Sequence, residues 1–323
     1  MSGAQRRGPT PRVTVAIANY NGRELLHGAL RSLDVQTFRD FCVLVVDDGS
    51  TDDSVAWLRS SRADVEVIAQ SNRGVTATLN VCLSAPDTAL VMLLNNDVEL
   101  RPDCVGELVA ALDAHPQAGS ACAKLLDFHR RDMLDGAGDV LTWAGNGHRR
   151  GQGEVDRGQY DQERAIFGAC AAAAVYRRSA LDAVGLFDED FEAFFEDTDW
   201  ALRAQLAGFD CRYVPSAVVY HMGSATLGVG LTDFTRYRLW RNTVWMLAKG
   251  LPASVALRHS PRLLLGQLLN LAVAVRDRKL NIWLRAWRDA LRGLPRMLAR
   301  RRAIQRARRV SPRELEAHLG PDG

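Results

Sequence analysis

The stretch Phe41–Ser54 reads FCVLVVDDGSTDDS. Its six leading apolar residues, three of them valine, predict a strand buried on both faces, and the acidic, glycine and serine run that stops it predicts a turn at the strand's carboxyl end. The same device recurs on either side. Upstream, Val13 to Ala18 (VTVAIA) reads as a strand ending in Asn19-Tyr20-Asn21, and Leu25, Leu26, Ala29, Leu30 and Leu33 then fall on one helical face. Downstream come a short helix at Ser54 to Arg62, a third strand at Val65 to Ala69, and a helix from about Val75 to Leu83. A fourth strand, Ala89 to Leu94 (ALVMLL), ends in Asn95-Asn96-Asp97. Strands that alternate with helices and are apolar on both sides predict an α/β, Rossmann-like fold: a mostly parallel sheet covered by helices.

Beyond residue 100 the pattern is more mixed. It predicts a helix around Val105 to Ala114, a strand near Ser120 to Leu125, a Gly-rich polar loop from Gly136 to Gly158, a helix at Thr198 to Ala207, and short strands at Cys211 to Val214 and Ala217 to Tyr220. From Leu239 onward only helix is read. Charge divides the chain. Its net charge is +3, but from Lys249 on there are 17 Lys/Arg against 5 Asp/Glu, whereas the preceding residues hold 24 against 33. Halves of opposite sign meet different partners. The expected division is therefore an α/β domain over 11–248, with a regular half (11–100) and a more mixed half (101–248), followed by a basic helical extension over 249–323. The six cysteines are scattered without a C-x-x-C pair, which argues against a zinc site or disulfide framework and for a reducing compartment. The polar, basic start Met1 to Thr10 has no apolar core of a secretory signal, and Leu263 to Val275 is too short to span a bilayer. The expected location is cytoplasmic.

In an open parallel sheet, ligands bind in the crevice at the carboxyl ends of the strands. Asn19-Tyr20-Asn21, Asp47-Asp48-Gly49-Ser50 and Asn95-Asn96-Asp97 all lie at such ends. Any one of them could be an ordinary turn; three aimed at one crevice point to a site. No G-x-G-x-x-G or G-x-x-x-x-G-K-[ST] loop follows any strand. A diphosphate bound here would need a divalent cation, and Mg or Mn wants carboxylate oxygens, of which Asp97 is best placed. Further on, Phe194-Phe195-Glu196-Asp197-Thr198-Asp199-Trp200 sets acids between aromatics at a helix start. Such acids serve as N-terminal caps, and equally as a base in a partly buried site.

Four segments in order, VAIANYNG, VVDDGSTDDS, SNRGVTATLN and LLNNDVEL, together with the later GACAAAAVYRRSALDAVGLFDEDFEAFFEDTDWALRAQLAGFD, resemble inverting glycosyltransferase family 2 over roughly Pro11 to Gly250. The resemblance implies the GT-A fold and transfer of a sugar from a nucleoside diphosphate to an acceptor hydroxyl with inversion. It implies Ala18 and Tyr20 as lining of the base pocket, Asp48 as a partner of the base, and Asn96 with Asp97 beside the nucleotide sugar. Asp97 matches the metal ligand of the family's D-x-D motif, and His221, in VVYHMGSAT, the histidine that completes the metal site. Asp197 matches the general base, with Glu196 and Trp200 helping to bind the acceptor. Asn95 and Asn96 depart from the usual acids and resemble a rhamnosyltransferase-like branch, which points to dTDP-rhamnose, or else a UDP-sugar, as donor and to a cell-surface glycan or lipid-linked acceptor.

Two rivals stand beside this reading. A sugar nucleotidyltransferase would need a Gly-rich basic loop after the first strand, which Asn19-Tyr20-Asn21-Gly22 does not supply; a catalytically weak or dead relative would act as a binding subunit. A nucleic-acid partner is not expected, because no binding motif accompanies the arginines. In the tail, Leu280, Trp283, Leu284, Trp287, Leu291, Leu294 and Leu298 form one apolar stripe with arginines mostly off it, the pattern of a helix lying in the headgroup region of an anionic membrane or, as the alternative, of an amphipathic helix packed on the preceding domain with a solvated basic face. Peripheral attachment at the inner face of the plasma membrane is the resulting expectation.

Overall fold

The computed structural model describes residues 10–223 and 232–320. Most of the polar start, and Ser224 to Thr226 of the HMGSAT segment, lie outside the described residues. The four expected strands, β1 (Val13–Asn19), β2 (Phe41–Asp47), β3 (Val65–Ala69) and β4 (Leu90–Asn95), are parallel and ordered β3-β2-β1-β4. Val15 lies opposite Val43 on one side and Met92 on the other. Their connections run through α1 (Arg23–Asp34), α2 (Ser54–Ser61) and α3 (Val75–Ser84). A three-residue strand β5 (Val98–Leu100) and helix α4 (Cys104–Ala114) follow.

The second half extends the same sheet as β4-β11-β6-β12-β10. Strand β6 (Ala118–Asp127) is parallel to β12 (Asp210–His221), while β11 (Ala173–Arg177) is antiparallel to both β4 and β6, and β10 (Arg164–Ile166) pairs antiparallel with β12. The two short strands expected at 211–220 are thus one strand, bulged between Val214 and Val218 around Pro215, which has no N–H to give the ladder. The loop expected at 136–158 is also structured. After β7 (Leu134–Gly136), β8 (Asp139–Leu141) and β9 (Gly147–Arg149) form a hairpin in which Asp139 faces Arg149.

Two buried layers flank the sheet. Leu26, Leu30, Val105, Leu108 and Leu112 cover one face. Leu79 and Leu83 of α3, Leu181 of α5 (Arg178–Val184) and Trp200 of α6 (Glu196–Leu206) cover the other. A third core joins Leu202 and Leu206 of α6 to Trp245 and Met246 of α7 (Asp233–Gly250), Met297 of α10 (Leu280–Ala307) and Leu315 of α11 (Pro312–Ala317). The boundary drawn at 248/249 therefore falls inside α7, and the tail shares a core with the catalytic half. Lys249 is 1% exposed, its ammonium 2.5 Å from Asp188 and 2.8 Å from Asp199, and Arg300 of α10 reaches the same Asp188 at 2.5 Å. Of the stripe expected on α10, Leu280, Leu284, Leu291 and Leu298 are exposed and Trp283, Trp287 and Leu294 half-buried, while Ala286, Ala290 and Met297, outside the stripe, are buried against the rest of the fold. Between α7 and α10 run α8 (Ala253–Arg258) and α9 (Ser260–Arg276).

Candidate active site

The tips of β1, β2 and β4 are tied into one rim. Asn19 Nδ2 donates to Asp47 Oδ2 at 2.9 Å, and Asn19 Oδ1 accepts from Asn96 Nδ2 at 2.9 Å. Ser50 Oγ donates to Asp47 Oδ2 at 2.6 Å and accepts from the Asn21 amide at 2.8 Å. Gly22 is required by closeness alone, since a Cβ there would sit 2.3 Å from Asn96 Nδ2. Above this rim Ala18 is half-buried and Tyr20 is exposed, so both are accessible to a ligand at the strand ends. Asp48 is buried, and its carboxylate accepts from Gln70 Nε2 and the Arg73 amide at 2.8 Å and the Gly74 amide at 2.9 Å. Its first task is to hold the 70–74 loop beside the crevice.

Asp97 and His221 come together because β5, immediately after Asp97, pairs with the end of β12, setting His221 opposite Val98. Both side chains are buried, with His221 Nε2 3.3 Å from Asp97 Oδ1. On its far side His221 Nδ1 meets Asp135 Oδ2 at 2.7 Å. Burial opposes the imidazolium, but bonds to Asp135 and Asp97 outweigh it and hold the His221 pKa above the ordinary histidine value. Asp135 is paired in turn with Arg149. Burial opposes the Arg149 charge too, yet the surrounding anions, Asp135, Asp139 and Asp197 among them, raise its pKa. Across the hairpin, burial together with the nearby Asp197 lifts the Asp139 carboxyl well above the usual range. Strand β7 and the hairpin thus bring together Asp135, Asp139 and Arg149, the last two from the stretch that the sequence reading had left as a loop. The run Asp135-Gly136-Ala137-Gly138-Asp139 carried the signal, but its glycines and polar neighbours read as loop.

Asp197 opens α6. Its Oδ1 accepts from the Thr198 amide at 2.7 Å and its Oδ2 from the Ala171 amide at 3.3 Å. Neighbouring Glu196 is buried, and its Oε2 has no hydrogen-bond partner. Burial, with Asp197 beside it, pushes the Glu196 carboxyl up to about 8. The approach to these two acids is strained: Glu192, Phe194 and Phe195 have φ of 64°, 66° and 70°, unusual for residues with side chains. The side chain of Asn242 in α7 holds this segment, its Nδ2 donating to the carbonyls of Phe191 and Ala193 at 3.0 Å and Phe194 at 2.8 Å. Sequence reasoning missed Asn242, which sits in an unremarkable helical stretch. Trp200 needs correction. It is 2% exposed, packs edge-on against Tyr176, and its Nε1 donates to the Gly185 carbonyl at 2.8 Å, so it belongs to the core rather than to an acceptor surface.

This architecture is shared with known proteins. A mannosyltransferase from Pyrobaculum calidifontis, solved in complex with GDP-Man and Mn2+, superposes with a TM-score of 0.55 over 92% of this chain and 85% of its own, at 19% identity, a likeness of fold alone. By sequence, the chain is similar to an N-acetylglucosaminyltransferase of Rhizobium leguminosarum bv. viciae, 28% identical over 71% of this chain and 55% of that protein. An N-acetylglucosaminyl-diphospho-decaprenol L-rhamnosyltransferase of Mycobacterium tuberculosis is 28% identical over 66% of this chain and 77% of its own length. The chain thus spans about half the length of the Rhizobium relative, and 27% of a Sinorhizobium fredii relative to which it is 30% identical. The glycosyl transferase family 2 model matches residues 14–185, more than half of the chain. On that match, and with the GT-A architecture its motifs implied, the protein belongs to glycosyl transferase family 2.

Proposed function

We propose that the chain transfers a sugar from a nucleoside-diphosphate donor to an acceptor hydroxyl with inversion. The observation that carries this reading is the buried Asp97–His221 pair, which Asp135 and Arg149 tie to the hairpin on which Asp139 lies close enough to Asp197 to feel its charge. The donor's nucleotide would lie on Ala18 and Tyr20, beside the loop ordered by Asp48, with Asn96 and Asp97 toward the diphosphate. The acceptor hydroxyl would approach Asp197, which takes its proton as the new bond forms. Glu196, neutral near pH 7 at a pKa of about 8, would offer the acceptor a hydrogen-bond donor.

The residues fit a divalent cation, Mg or Mn. With Nδ1 of His221 engaged by Asp135, Nε2 is aimed at the Asp97 carboxylate, the orientation that a second carboxylate imposes on metal-binding histidines. Asp97 and His221 would hold the ion, and the diphosphate would supply further oxygens. Such an ion supplies the positive charge that no phosphate-cradling loop provides here. The Mn2+ and GDP-Man of the Pyrobaculum structure support this assignment.

For the donor we infer dTDP-rhamnose first, from Asn95-Asn96-Asp97 and the mycobacterial rhamnosyltransferase relative, and a UDP-sugar next. The acceptor class is a cell-surface glycan or a lipid-linked intermediate, met at the inner face of the plasma membrane. A thermal-shift panel of dTDP, UDP and GDP with and without manganese tests the reading. One nucleoside diphosphate should raise Tm only with the metal, and Asp97→Ala should abolish that rise. A panel without any metal-dependent shift would remove the donor site, and with it the transferase reading.

A further inference from the structure

Helix α9 has one face built into the fold and one that none of the described residues covers. On the inner side, Gly266 lies so close to the turn of the β8–β9 hairpin that a Cβ would sit 2.3 Å from the Ala144 carbonyl oxygen. Asn270 Nδ2 donates to Asn146 Oδ1 at 3.3 Å, and Ala274 is buried beneath Trp240. On the outer side Leu264, Leu265, Leu268, Leu269 and Val275 are 61%, 53%, 52%, 54% and 57% exposed, and Leu257 of the adjoining α8 is 77% exposed. The first four follow steps of one, three and one, so they share one helical face. A contiguous apolar face of this kind marks an interaction surface.

Its charge names the partner. Residues 251–276 contain three arginines, Arg258, Arg262 and Arg276, and no aspartate or glutamate. Arg276 pairs with Asp277, which Arg236 also holds, and Arg258 pairs with Glu316 of α11, so among the described residues the exposed Arg262 is the arginine of this stretch without an ion pair and the one that leads toward the phosphates. We propose that the outer face of α8 and α9 beds into the headgroup region of an anionic lipid bilayer, its leucines toward the acyl chains and its arginines toward the phosphates. This is the geometry of an interfacial helix: apolar side chains on one face, basic groups at the rim, no acids to repel the surface. Spanning does not fit. No helix among the described residues is long and apolar enough to cross, and the 17 residues of α9 carry Gln267 and Asn270. A second copy fits poorly, because symmetric pairing of this patch would bring arginines toward arginines with no acid in the stretch to answer them. Helix α10 exposes Leu280, Leu284, Leu291 and Leu298 as well, but these stand four and seven residues apart, whereas α9 sets Leu264, Leu265, Leu268 and Leu269 in adjacent pairs and so makes the denser apolar patch.

The surface is argued independently of sugar transfer, and its test needs neither donor nor acceptor. The full chain is floated with phosphatidylcholine vesicles with and without phosphatidylglycerol. It should rise with the anionic vesicles and remain below with the neutral ones. The double variant Leu264→Gln/Leu268→Gln, at exposed positions and with unchanged Tm, should bind at least about tenfold more weakly. Arg262→Gln should weaken binding to a lesser degree, and Leu291→Gln/Leu298→Gln on α10 should leave it unchanged. The proposal is overturned if the wild type stays below with anionic vesicles, if Leu264→Gln/Leu268→Gln floats as well as the wild type, or if neutral vesicles bind equally. A dimer in sedimentation that the same double variant disperses would assign the face to a second copy and also overturn it.

Discussion

At Glu196 and Asp197, adjacent acids have different hydrogen-bond surroundings. Asp197 accepts two backbone amides, which suit a carboxylate, whereas Glu196 is buried beside it with an unpartnered oxygen and a pKa of about 8. On the proposed reading, Asp197→Asn should lower turnover by roughly a hundred- to ten-thousand-fold while nucleotide affinity survives, because shape is kept and the proton acceptor is lost. Near-normal turnover in Asp197→Asn, with collapse in Glu196→Gln, would transfer the base role to Glu196. A second expectation follows from burial alone. A carboxyl whose folded pKa lies above its unfolded value of about 4.3 costs stability as it is forced to ionise, so the cost grows between that value and about 8. Glu196→Gln should therefore gain about 1–4 kcal/mol over the wild type on going from acid to alkaline pH. Urea titrations of both proteins at about pH 5, 7 and 9 measure it. Parallel curves at all three would show that Glu196 ionises freely.

Among the elements, those that hold the strained Glu192–Phe195 approach matter most. The Asn242 amide serves three carbonyls of that approach from α7, a helix distant in sequence. Asn242→Ala should cost about 1–3 kcal/mol by leaving buried carbonyls unpaired, and should lower kcat more than donor affinity. Donor binding that falls as steeply as kcat would show a general loss of structure instead. What was legible in the sequence follows the same division. The strands β1 to β4 announced themselves because each is a continuous apolar run closed by turn residues. Strand β7 with Asp135 and the hairpin with Asp139 and Arg149 did not, because strands of three residues set among glycines have no periodicity to read. The alanine-rich β11 was not read as a strand, since alanine has little preference for strands. Asp97 and His221 were nameable one by one, but Asn242 and Asp135 act through tertiary contacts that no local pattern encodes. Trp200 was misread for a related reason: an aromatic beside acids looks the same in sequence whether it lines a crevice or fills a core.

Over the whole molecule, the basic tail is part of the catalytic body. Trp245 Nε1 donates to the Ala290 carbonyl at 2.9 Å, Met297 and Leu315 complete the third core, and the Arg309 amide bonds back to the Leu206 carbonyl at 2.8 Å. A chain ending at Gly250 should therefore be destabilised by more than the roughly 3–5 kcal/mol of a single large core truncation, and should aggregate on expression. A monodisperse product with wild-type Tm would show that the tail is dispensable to the fold. Lys249 adds a consequence of its own. Its ammonium is sealed between Asp188 and Asp199, so mobile ions cannot reach the pair. Salt screens exposed charges, with a Debye length of about 3 Å at 1 M, and screens buried pairs far less. Raising ionic strength should accordingly loosen exposed arginines such as Arg262 from anionic phosphates while the joint at Lys249 stays closed. Detachment from vesicles by salt and re-attachment on dilution should then be reversible, with the far-ultraviolet circular dichroism unchanged throughout.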